Sequence, residues 1–179
     1  MADFITALQP VLLLEGGYSN NPSDAGGQTY AGISRNNWPQ WQGWAIVDSL
    51  VKQYPNLNDL NQALSSSATL AGQVQDFYHV NFWKYDSIES QLIANKLLSL
   101  DVLSNHAAQL VQQSLLELGV NIVVDGRWGP ATQNSINTQK EADILHMLRA
   151  FASLRFAEIV INNNGQHAFL KGWLKRATD

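Results

Sequence analysis

The chain has 179 residues, 45% of them hydrophobic and 15% charged, with a formal net charge of −4. That is enough apolar material for the core of one domain, or one domain with a small appendage, and excludes a disordered chain. The slight acidic excess argues against a nucleic-acid binder, and the lack of cysteine excludes disulfides, thiolate chemistry and Cys-based metal sites. His79, His106, His146 and His167 lie far apart with no HExxH pattern, so neither a metal nor another cofactor is expected. Charge is uneven: Arg149, Arg155, Lys171, Lys175 and Arg176 face only Glu158 and Asp179 over the last stretch. This mildly basic region reads as a solvated helix surface or as a face for an anionic polymer. Met1-Ala2-Asp3-Phe4 lacks a basic n-region, and no apolar run reaches the roughly 18 to 20 residues of a membrane span. A cytoplasmic chain without signal peptide or stable membrane insertion is therefore expected.

In chain order, Phe4, Ala7, Leu8, Val11 and Leu12 carry the spacing of a one-faced helix over about residues 3 to 15, with Pro10 predicting a kink. Tyr18 to Ser34 holds turn formers (Asn20-Asn21-Pro22, Asp24, Gly26-Gly27) and short strand candidates at Thr29-Tyr30 and Ile33, a small β-hairpin lobe. Helices are predicted from about Trp41 to Tyr54, within Asn56 to Ser67, and from Ala68 to Phe82 with Leu70, Val74, Phe77 and Asn81 on one face. Further helices follow at about 90–100 and 107–118. A tight loop at Val124-Asp125-Gly126-Arg127-Trp128-Gly129 then precedes a helix begun by Pro130. The strongest pattern runs from Glu141 to Ile161, and a last helix carries Phe169, Trp173 and Leu174. The class is mainly α with a small β element.

The stretch Leu12-Leu13-Leu14-Glu15-Gly16-Gly17-Tyr18 carries the chemistry. Glu15 lies four residues past Val11, so it continues the buried stripe before Gly16-Gly17 stops the helix. A carboxyl group there is partly desolvated, which favours the protonated form a general acid needs; the plainer reading is a surface Glu at a frayed helix end. Inverting glycosidic hydrolysis pairs such an acid with a carboxylate that activates water, roughly 6.5–9.5 Å away. Asp24 suits that second role with Thr29 fixing the water, or else Asp24 is an Asx-turn residue and Thr29 a strand residue. The 124–129 loop grips glycan or stem peptide through Trp128, or is turn chemistry ahead of a Pro-started helix. Trp38, Trp41 and Trp44 read as core or cleft wall, with a binding platform as the alternative.

Glu15-Gly16-Gly17-Tyr18, Asp24 and Gly26-Gly27-Gln28-Thr29-Tyr30-Ala31-Gly32-Ile33-Ser34 resemble the signature of glycoside hydrolase family 108, lysozyme-like muramidases of phages and bacterial genomes. Leu100-Asp101-Val102 with Asn105, Val124-Asp125-Gly126 with Gly129-Pro130-Ala131-Thr132, and Gly172-Trp173-Leu174 with Arg176 resemble the family's companion peptidoglycan-binding region. The resemblance implies a lysozyme-like fold, with a catalytic region at 1–88 and a helical binding region at 89–179 packed into one globule. It implies hydrolysis of the β-1,4 bond between N-acetylmuramic acid and N-acetylglucosamine, with Glu15 as general acid. The order Glu15, Asp24, Thr29 is similar to the Glu-Asp-Thr set of phage lysozymes, although Asp and Thr are six apart there and five here. Tyr18 packs the hairpin or reaches substrate with its hydroxyl.

These observations lead to a monomeric endolysin of a phage or prophage, bacteriolytic once released through a holin or another route, with peptidoglycan glycan strands as partner. A lytic transglycosylase is the nearest competitor, and the water-managing pair Asp24 and Thr29 weighs against it. A non-catalytic peptidoglycan-binding or secretion-associated protein is the competitor from another class.

Overall fold

A computed structural model describes residues 1–20 and 27–179; Asp24 and its neighbours from 21 to 26 lie outside the described residues. The chain divides into two compact bodies, residues 8–81 and residues 1–7 with 82–179.

The first body opens at Leu8, inside α1 (Phe4–Glu15), where Leu8 and Val11 are buried. The leucine run is not all core, since Leu13 is 86% exposed. Three short strands follow, β1 (Ser19–Asn20), β2 (Gln28–Tyr30) and β3 (Ile33–Ser34), in one antiparallel sheet of that order. This is the small lobe expected near residues 18–34. The register pairs Ser19 with Thr29 and Tyr30 with Ile33. Only Ala31 and Gly32 separate the second pair, and both have positive φ, 47° and 77°, as a two-residue hairpin turn with the right twist demands. Arg35 then ties the lobe to α2 (Trp44–Gln53): its guanidinium pairs with Asp48 and lies 4.3 Å over the Trp44 ring.

That helix starts three residues later than the periodicity suggests, because Trp38, Trp41 and Trp44 are joined by successive i to i+3 backbone turns. Next comes α3 (Leu57–Ser65), capped by the Asn56 side chain, which accepts from the Asn58 and Asp59 amides. The last element is α4 (Ala68–Phe82), buried at Leu70, Val74, Phe77 and Tyr78. Asn81, expected on that face, is exposed; Tyr78 takes its place, four residues past Val74.

The second body is all helical among its described elements: α5 (Gln91–Ser104), α6 (Ala107–Glu117), α7 (Pro130–Asn137), α8 (Glu141–Asn162) and α9 (His167–Thr178). Ser90 caps α5 by accepting from the Ile93 amide, and Asn105 ends it in the left-handed conformation. Pro130 opens α7, where its missing N–H has no partner to lose. The apolar stripe Ile144, Leu145, Leu148, Ala152, Phe156 and Val160 of α8 is buried, and α8 packs against α5, α6 and α9. Lys96 of α5, itself buried, donates to the carbonyls of Arg176 and Ala177 and so holds the end of α9.

Candidate active site

Glu15 is the last residue of α1 and is half-buried. Two features fix its surroundings. Gly16 leaves the helix at φ 75°, and Asn61 of α3 accepts from the Tyr18 amide at 2.8 Å, pinning the chain as it turns into β1. A Cβ at Gly17 would lie 2.5 Å from Asn61 Oδ1, so a larger residue there would have to displace the side chain that holds the Tyr18 amide. On the other side the Ala31-Gly32 turn closes on the carboxyl. A Cβ at Gly32 would meet Tyr78 Oη at 2.6 Å and Glu15 Oε2 at 2.7 Å, so turn, phenol and carboxyl crowd one point. Tyr78 donates its hydroxyl proton to the Ala31 carbonyl at 2.8 Å, which ties α4 to the same turn. The arrangement explains the spacing of the signature: a helix-terminal Glu, and a Gly in a hairpin turn that lets the backbone approach it.

The backbone flanking this cluster, Gly16-Gly17 and Tyr30-Ala31, also lines a pocket of about 670 Å³ against Asn61, Gln62 and Val74. Thr29 sits in mid-sheet on β2, half-buried, paired with Ser19 and Ser34. Tyr18 braces the hairpin by accepting from the Gln28 side chain at 2.9 Å. Burial pushes the Tyr30 phenol up, so it stays protonated at neutral pH. Glu15, Tyr18 and Thr29 therefore fall within one body. Asp24 lies outside the described residues. Tyr78 was not singled out by sequence reasoning, because a tyrosine at a helical core position carries no signal beyond its apolar stripe.

Trp128 belongs to the other body. Its ring packs edge-on against Tyr85 with centroids 4.8 Å apart, and its indole nitrogen is buried without a hydrogen-bond partner. Tyr85 in turn donates to Asp101, which also receives Lys84 Nζ at 2.6 Å and the Ala107 amide at 3.1 Å. The 124–129 turn is organised by the buried Gln112 of α6. Its amide donates to Asp125, the Arg127 carbonyl and Thr132, and its oxygen accepts from Gly126 N–H. The Arg127 amide, followed by the Gln112 side chain, holds the Asp125 carboxyl below its ordinary range. The turn is thus built as sequence chemistry suggests, and it also borders a pocket of about 380 Å³ with Arg127 and Trp128 on its wall.

Among the described residues no group of three His, Asp or Glu side chains could hold a metal, and no helix is long and apolar enough to cross a membrane.

The fold is mainly α and lysozyme-like, with a helix-terminal Glu packed against a small β lobe. The family model Glycosyl hydrolase 108 matches residues 8–106, and the chain belongs to that family. The model Predicted Peptidoglycan domain matches residues 106–178, so the protein is a peptidoglycan-degrading glycosidase with peptidoglycan as its partner. The chain is similar in fold to SagA of Brucella abortus, with a TM-score of 0.58 and 20% identity over 97% of this chain and 92% of that one. No curated protein matches.

Proposed function

We propose that the protein is a muramidase that hydrolyses the β-1,4 bond between N-acetylmuramic acid and N-acetylglucosamine, with Glu15 as general acid. The observation that carries this reading is the half-buried Glu15 carboxyl, wedged against Gly32 and the Tyr78 hydroxyl at the end of α1. Protonated Glu15 gives its proton to the leaving glycosidic oxygen as the C1–O bond breaks. A water attacks C1 from the opposite face and loses its proton to a second carboxylate, the role we give to Asp24, with Thr29 orienting the water. Tyr78 acts as a positioning residue that holds the Glu15 carboxyl in one orientation. Tyr18 and Trp128 are assigned to substrate contacts, catalysis to residues 1–88 and wall binding to residues 89–179. The family resemblance to phage muramidases supports a monomeric endolysin of a phage or prophage, held in the cytoplasm until a holin or another route releases it to the wall.

Purified peptidoglycan digested with the protein and analysed by mass spectrometry tests this. Fragments with reducing muramic acid ends are expected, and NMR should show the α-anomer first. Anhydro-muramyl ends would mean transglycosylation, and no fragments would mean a binding protein. Glu15→Gln keeps shape but removes the transferable proton, so turnover should fall by ~10²–10⁴-fold while the fold survives. Near wild-type lysis by that variant would remove Glu15 from the mechanism.

A further inference from the structure

Of the three clustered tryptophans, only Trp44 is core, at 4% exposed. Trp38 and Trp41 wall a groove of about 650 Å³ within the 8–81 body, a size that suits a small ligand. Its opposite wall is α4, through Gln73, Asp76, Phe77 and Val80, spaced i, i+3, i+4, i+7. The Glu15 region uses another stripe of the same helix, Ala71, Val74 and Gln75 at its pocket and Tyr78 at the carboxyl. The two stripes are offset by two residues, about 200° around the helix axis. The groove is therefore separate from the cluster at Glu15.

The tryptophans are held in place by more than burial. The Trp41 indole N–H donates to the Gln73 carbonyl at 3.3 Å, and the Trp44 N–H donates to the Trp38 carbonyl at 2.8 Å. Trp38 stands edge-on to Phe77 with centroids 4.9 Å apart. A Cβ at Gly43 would lie 2.3 Å from the Trp41 ring, so the glycine makes the room that ring occupies. The same wall carries the amides of Asn37, Gln40, Gln42, Gln73 and Asn81, with Asp76 as the one charged group among the described lining residues. Gln73 Oε1 is buried without a hydrogen-bond partner. The last side-chain torsion of glutamine is broad, so a small rotation brings this acceptor to a donor in the groove.

Flat apolar faces, amide donors and acceptors, no cation and an unpaired acceptor together select a neutral sugar that bears an amide N–H. We propose that the Trp38–Trp41 groove is a saccharide subsite that binds an N-acetylglucosamine unit of the glycan strand away from the bond being cut. Its apolar ring face stacks on the indoles, its hydroxyls meet the amides, and its acetamido N–H supplies the donor Gln73 Oε1 lacks. The absence of lysine and arginine among the described lining residues, and the presence of Asp76, disfavour the carboxylates of stem peptides. The inference rests on the glycan-cleaving reading but is tested apart from it.

The probe is chitotetraose, titrated into the Glu15→Gln protein and followed through the indole N–H resonances and by calorimetry. Binding should shift the Trp41 indole signal. Val80 is 80% exposed, so Val80→Arg lays a long side chain across the groove with an unchanged melting temperature. It should weaken binding at least about ten-fold, as should Trp38→Ala. With Glu15 restored, Val80→Arg should raise KM on glycan strands and leave kcat nearly unchanged, since it removes binding common to ground and transition states. No binding of chitotetraose, or equal binding by the parent, Val80→Arg and Trp38→Ala proteins, overturns the subsite. Either result leaves the role of Glu15 to be judged by the Glu15→Gln digestion.

Discussion

Gly32 shows how one residue can set the surroundings of the proposed general acid, Glu15. Its φ of 77° closes the hairpin, and its missing side chain lets the turn lie against Glu15 and Tyr78. Ala31 beside it also has positive φ, a conformation that costs an L-residue about 1–2 kcal/mol. The Tyr78 hydrogen bond to the Ala31 carbonyl offsets part of that strain. Gly32→Ala adds both penalties, left-handed backbone and a collision with the carboxyl. It should destabilise the protein by at least about 1–2 kcal/mol in urea unfolding. A displaced Glu15 should also lower turnover by roughly 10²-fold, measured on soluble glycan strands. A variant as active and as stable as the parent would show that the turn does not position the carboxyl.

At the scale of elements, the end of α9 rests on one buried amine. Burial, and then Arg149 of α8, lower Lys96 from 10.5 to about 8, with Asp179 opposing them. Between these two values the unfolded chain binds a proton that the folded chain does not, so stability rises with pH across that window. Below pH 8 the penalty of burying the ammonium is fully present. Neutral lysine still has two N–H donors for the carbonyls of Arg176 and Ala177. The phenols of Tyr85 and Tyr30 are pushed up in the folded state and act in the opposite sense above their ordinary value of 10.0. Urea midpoints should therefore climb from pH 7.5 to about 9.5, and Lys96→Met should flatten the rise. A midpoint that is level or falling in the parent over that range would contradict the account.

At the scale of the molecule, family boundaries and compact bodies do not coincide. The glycosyl hydrolase model extends to residue 106, yet residues 82–106 belong to the body completed by 107–179. Within that body α5 buries Ile93, Ala94, Leu97, Leu98 and Leu100 and packs against α6, α8 and α9. A fragment cut after residue 106 leaves this face without its cover. At about 1.5–3 kcal/mol per large apolar side chain the loss exceeds what one helix recovers by itself. The 1–106 fragment should show less helix by circular dichroism than its share of the full chain, and should aggregate. A soluble fragment with α5 fully helical would show that the hydrolase segment folds alone.

Local chemistry made much of this legible. The stop at Gly16, the start at Pro130, the 68–82 helix and the turn-rich lobe follow from residues a few positions apart, and such signals survive without tertiary context. The family signature likewise marked Glu15 as the residue to watch. Tertiary structure alone decided which residues meet. Tyr78 reaches the Glu15 cluster from α4, 63 positions along the chain. Gln112 sits deep in α6 and organises a loop more than ten residues later. The helix-face pattern placed Asn81 inside and gave no reason to prefer Tyr78, because helical spacing tells which residues share a stripe but not where packing on that stripe ends. Trp38 and Trp41 became groove walls while Trp44 became core for the same reason. An indole is apolar enough for either place, and only the neighbours brought to it by the fold decide between them.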